Sequence, residues 1–254
     1  MKGLTLKPLV SAMALTLMLS ACANDSAQTT TTTTQAPNVV ANNIIEQNAN
    51  NPFFKPYGTF MEIPDFDKIK DEHYLPGFKA GIAAQQAEIA AIVANPEAPT
   101  FENTIEAMEF SGALLTKVAS VFYNLTGAHT NPAIQQISKE VSPMLSSARD
   151  DISLNEDLFK RVKAVYLQKD SLNLSTSKAK LLEDTYKSFT RGGANLSAAD
   201  KDTLRALNEQ IGKLNLEFGD NLLAETNAFE LVIDNEANLA GLPQDVIDTA
   251  AATA

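Results

Sequence analysis

Three side chains in this 254-residue sequence carry thiol or imidazole chemistry: Cys22, His73 and His129. One cysteine excludes a disulfide within the chain and every multi-cysteine zinc or iron–sulfur site. Zinc takes at least three protein ligands, and two histidines 56 positions apart with no neighbouring motif do not supply them. His73 follows Asp71 and Glu72, which fits a solvated helix start where acids meet the positive end of the helix dipole. His129 stands in a turn without a cysteine or acid beside it. Asp150-Asp151 and Glu183-Asp184 are adjacent acids, which point to different helix faces rather than converging. Arg191-Gly192-Gly193 reads as a glycine helix stop with a cation at its negative end. No HExxH, GxSxG or glycine-rich phosphate loop occurs. No catalytic, cofactor-binding or metal-ligating residue is therefore assigned within this chain.

Cys22 has a different task. Lys2 and Lys7 precede a 13-residue apolar run, Leu9–Ala21. That run is too short for a bilayer core, which needs about 20 helical residues. Leu19-Ser20-Ala21-Cys22 resembles the lipobox of bacterial lipoproteins, which makes residues 1–21 a signal peptide and Cys22 the lipidation site. Each acyl methylene contributes about 0.8 kcal/mol of membrane affinity, so two or three chains anchor stably. Ala23, in place of an aspartate, favours the outer membrane over the inner one by analogy with bacterial sorting. The expected place is the cell envelope, lipid-anchored and facing the periplasm. Loss of the two signal lysines takes the net charge from −11 to −13. Such a surface disfavours nucleic acid and is repelled by anionic lipid, leaving the acyl chains to hold the protein.

The elements behind these residues are mostly helical. Residues 22–51, with the threonine run Thr29–Thr34, read as a disordered tether because they offer little to bury. Residues 52–254 read as a helical body. Eleven glycines, eleven prolines and no tryptophan argue against a β-sandwich or barrel. Apolar spacing predicts a helix over 71–94, and a second opened by Thr100 that carries Ile105, Met108, Leu115, Val118 and Phe122. Asn131-Pro132, Asn155, Ser175 and Ser197 are expected N-caps of four more, the first of these kinked at Pro143. The longest is expected to bury Leu204, Leu207, Ile211, Leu214, Phe218 and Leu222, and residues 229–233 (FELVI) predict a short β segment. A further helix opens at Pro243 and has run only about two turns at Ala254, which suggests the front portion of a longer protein.

The wording of these helices carries a resemblance. Pro64 to Phe78 follows the pattern P-x-F-D-x-I-x-x-E-H-x-x-P-x-F, and Pro99 to Ile105 reads PTFENTI. With the stretches TRGGANLSAADKDTLRALNEQIGKLNLEFGDNLLAET and ANLAGLPQDVI, this resembles the amino-terminal portion of the thimet-oligopeptidase family, in its bacterial peptidyl-dipeptidase branch. The resemblance covers about Asn51 to Ile247. It implies a mainly α, clamshell-like zinc metallopeptidase that takes short peptides, releases dipeptides from their carboxyl ends and works as a monomer when complete. The family's zinc is held by an HExxH helix and a downstream glutamate, none of which is in this chain. This segment alone is expected to be inactive. The alternative is a non-catalytic helical lipoprotein or a gene remnant.

Overall fold

One helix organises the packing, because its small residues let neighbours approach on several sides. This is α2, Tyr74–Ala94, in which Gly77, Ala80, Gly81 and Ala83 are buried. A Cβ on Gly81 would lie 2.7 Å from the Cα of Leu115, so the glycine is what lets the next helix lie against α2. The structure, a computed structural model, describes residues 36–253. The signal segment 1–21, Cys22 and Thr29–Thr34 lie outside the described residues. Among the described residues the other helices are α1 (Pro37–Gln47), α3 (Ala113–Ala128), α4 (Pro132–Ser153), α5 (Glu156–Tyr166), α6 (Thr176–Arg191), α7 (Ala198–Ala228) and α8 (Gln244–Thr253). The mainly α expectation is met. No described helix is long and apolar enough to cross a membrane.

Two apolar clusters share α2. At its first half, Tyr74 and Phe78 meet Phe53, Val118, Phe122, Ile134 and Val141. Phe78 and Phe122 stand edge to face with centroids 5.2 Å apart, a favoured arrangement of ring quadrupoles. At its second half, Ile89 and Ile92 join Phe101, Ile105, Leu158, Phe159, Val162, Leu182 and Phe189.

The expected caps close as drawn. Asn131 Oδ1 accepts the Ile134 N–H at 2.9 Å with Pro132 at the first helical position, and Asn155 Oδ1 accepts that of Leu158 at 2.9 Å. Ser175 and Ser197 cap α6 and α7 in the same way. Helix α4 passes through Pro143 without a break in its span.

Four expectations are corrected. The tether assigned to residues 22–51 contains helix α1, which packs on α2. Ala41, Ile44 and Ile45 form a small apolar face there, and Asn48 Nδ2 closes the end by donating to the Ile44 carbonyl at 2.9 Å. The single helix expected from Thr100 is divided: a π-type turn, Phe101–Glu106, leads into one short turn, and α3 starts afresh after Gly112. Gly112 has φ +76°, where a side chain is strained, and its N–H donates to the Glu88 carboxylate at 2.6 Å. Residues 229–233 form no strand, since no described segment supplies the opposing N–H and C=O groups. Finally, Leu207, Ile211, Leu214, Phe218 and Leu222 of α7 are exposed rather than buried.

Candidate functional site

The residues that carry the family resemblance build a clamp. Thr100 Oγ1 accepts the Asn103 N–H at 3.1 Å while Asn103 Oδ1 accepts the Thr100 N–H at 2.9 Å, a reciprocal cap. Phe101, Thr104 and Ile105 are buried behind it. Arg161, reaching over from α5, donates through Nη1 to the carbonyls of Asn95 (2.9 Å) and Glu97 (3.3 Å), and through Nη2 to Asn103 Oδ1 (3.1 Å). The buried Arg161 guanidinium thus closes the open carbonyls just ahead of the PTFENTI stretch and joins them to Asn103 within it. Arg161 was missed in the sequence, although a charged residue on the phase of Leu158, Val162 and Val165 is itself a signal of a buried partner set.

The second motif is also architectural. His73 Nδ1 accepts the Lys70 N–H at 2.9 Å, and the His73 carbonyl accepts from Asn51 Nδ2 at 2.8 Å. Its other nitrogen lies 3.9 Å from the Glu72 carboxylate. The imidazole closes the turn before α2. His129 is exposed at the end of α3, its N–H donating to the Leu125 carbonyl at 2.8 Å. Cys22 lies outside the described residues.

Among the described residues an open groove of about 1100 Å³ has walls from α2, α3, α4, α6 and α7. Leu115, Tyr123, Phe189 and Ile211 give it apolar surface, and Arg149 and Arg191 add guanidiniums. Burial pushes the Tyr123 phenol up, with Arg149 pulling slightly the other way, so it stays protonated at neutral pH. Asp150 is buried and accepts from Asn208 Nδ2 at 2.8 Å. The groove therefore offers apolar surface together with two guanidiniums and two carboxylates, Asp150 and Asp184. Its lining contains neither histidine nor cysteine.

Asp150 and its neighbour do more than the sequence implied. Asp151 pairs with Arg205 at 2.9 Å, so both acids of the pair face α7 and fasten it to α4. Glu183 and Asp184 pair within their own helix, with Lys187 and Lys180. Arg191 ends α6 beside the C-cap Gly192, as the sequence suggests.

No family model matches the chain. Curated relatives do. The chain resembles the thimet-oligopeptidase family of peptidases through relatives that match most of its length. It is 41% identical to a dipeptidyl carboxypeptidase of Escherichia coli (strain K12) over 204 residues, 80% of this chain and 30% of that protein. It is 42% identical to a dipeptidyl carboxypeptidase of Salmonella typhimurium over 193 residues, 76% of this chain and 28% of that one. An oligopeptidase A of Salmonella typhimurium is 22% identical over 199 residues, 78% of this chain and 29% of its own length. The chain thus spans under a third of the length of the curated relatives it matches.

Proposed function

We propose that this chain is the amino-terminal wall of a lipid-anchored peptidyl-dipeptidase of the cell envelope, which trims dipeptides from the carboxyl ends of short peptides. The observation that carries the reading is the 41% identity to a dipeptidyl carboxypeptidase across 80% of the chain. In this reading the described residues supply scaffold and groove, and the catalytic groups lie on the length that the relatives have and this chain lacks.

Zinc, implied by the family resemblance, does not fit the described residues. No group of three or more His, Cys, Asp or Glu side chains among them converges enough to hold an ion. His73 Nδ1 is occupied as a turn acceptor. The metal therefore belongs to the rest of the parent enzyme, and no step of the reaction is assigned to this chain. Cys22 holds the protein at the membrane, with the outer membrane favoured. Short peptides enter as substrates, nucleic acid does not, and the complete enzyme acts as a monomer.

The test is dipeptide release from a short blocked peptide by a detergent extract of host membranes. Depletion with an antibody to residues 100–116 should remove the activity, and a chelator should abolish it. Activity that survives depletion would count against the assignment.

A further inference from the structure

Helix α7 turns its polar row inward and its apolar row outward. The inward row lies antiparallel on α4: Arg205 pairs with Asp151, Asn208 bonds Asp150, Gly212 faces Ser142, and Asp220 pairs with Lys139 at 3.0 Å. Lys201, at the start of the helix, is buried and pairs with Glu156 at 3.0 Å. Leu207, Leu214, Phe218 and Leu222 point away, with exposures from 49% to 69%, and Ile211, 54% exposed, stands between this row and the groove. After Lys201 no described residue is buried. Phe229, Leu231 and Val232 then follow in a non-helical stretch, each at least 75% exposed.

A helix that merely rested on α4 would bury its leucines and leave its charges in water. The opposite arrangement leaves an apolar row exposed along the helix, more than scattered single side chains would give. These eight side chains present on the order of 800 Å², about what one partner contributes to a stable interface. Their steps of 4, 3, 4 and 4 along the helix are those of a seam that another helix fills at a shallow crossing angle of about 20°. The neighbours of the row are mixed, with Gln210, Asn215 and Asn221 uncharged and Lys213, Glu217 and Glu225 charged.

We infer that this face, Leu207–Leu222 with residues 229–233, is the docking surface for the remaining length of the parent polypeptide. That partner lays an apolar helix along the seam and pairs its backbone with 229–233. The inference rests on the reading given under Proposed function. The relatives extend more than twice as far again as the matched stretch, so the partner comes from the same molecule. A tethered partner outcompetes a second copy through its effective concentration.

The test is co-expression of the tagged 254-residue chain with an untagged polypeptide, namely the length of the E. coli dipeptidyl carboxypeptidase that this chain does not match. The two should co-purify. Leu214→Asp with Phe218→Asp should lower recovery at least about tenfold, as expected for removal of central apolar anchors. Lys213→Ala, an exposed neighbour, should leave recovery unchanged, and circular dichroism should show helix content retained in both. Undiminished recovery with the double variant overturns the inference and leaves the proposed function standing. Failure of the wild-type chain, where the relative's own matching stretch succeeds, overturns both. Failure of both stretches also counts against the inference, since a face of this size should hold its partner without a covalent link. A wild-type dimer that the same two substitutions dissociate would give the face to a second copy instead.

Discussion

Arg161 and Asn103 are 58 positions apart in sequence, yet Arg161 Nη2 donates to Asn103 Oδ1 at 3.1 Å. The same side-chain oxygen accepts the Thr100 N–H, so one amide joins the cap of the π-type turn to helix α5. The most specific words of the family resemblance therefore describe a partly buried hydrogen-bond network and not a catalytic group.

Arg161→Ala should cost about 3 kcal/mol, because three acceptors lose a charged donor at once. Arg161→Lys should recover less than half of the loss, since a single ammonium cannot reproduce the planar fork. Denaturant unfolding of the two variants checks both statements. Equal stability of Arg161→Ala and the parent chain would remove the clamp.

Gly81→Ala places a methyl 2.7 Å from the backbone of Leu115, where nothing flexible can yield. Separating α2 from α3 should cost about 1–3 kcal/mol, the usual penalty of overpacking. Gly219→Ala, where a Cβ meets nothing within 4 Å, should be neutral or stabilising. The thermal midpoint should fall for Gly81→Ala and hold or rise for Gly219→Ala.

Tyr74 gives the fold an alkaline limit. Burial, with help from Asp71, pushes its phenol from the usual 10.0 up to about 12. The unfolded chain thus loses the proton first, so the stabilisation is complete below pH 10 and is lost as pH rises towards 12. Tyr74→Phe should flatten stability across that window. At neutral pH it should cost little, because the Tyr74 hydroxyl has no hydrogen-bond partner among the described residues. Ultraviolet titration of the phenolate, read alongside circular dichroism, measures both effects.

Much of this architecture is legible in the sequence because local chemistry decides it. Asn131, Asn155, Ser175 and Ser197 cap as their types require, and Gly192 stops α6. The failures share one cause, which is that apolar periodicity says a face wants cover without saying what covers it. The α7 row has helical spacing, but Asp150, Asp151 and Lys139 on α4 select the polar side of that helix. Residues 229–233 have strand composition without a described strand to meet. Residues 37–47 lie in a polar, low-complexity context, yet Ala41, Ile44 and Ile45 suffice once α2 is there to receive them. Of the candidate site, the absence of an HExxH motif could be read directly. The groove walled by five helices could not, since its lining residues are scattered from Gln85 to Asn215.

The two faces of α7 should respond differently to truncation in the isolated chain. Leu214→Ala and Phe218→Ala should each change stability by no more than about 0.5 kcal/mol, as exposed side chains do. Leu158→Ala, in the closed second cluster, should cost about 2–5 kcal/mol. A large cost at Leu214 would mean the row is covered within this chain after all.

The most direct measurement is an immunoblot of the host's membrane fraction with an antibody to residues 100–116, run beside the dipeptide-release assay across the same fractions. The expected result is a membrane-bound band far above the 27.3 kDa of this chain, rising and falling with chelator-sensitive activity. A single band near 27.3 kDa, with no dipeptide release in its fractions, would contradict membership of a working peptidase and leave a helical protein with an uncovered face.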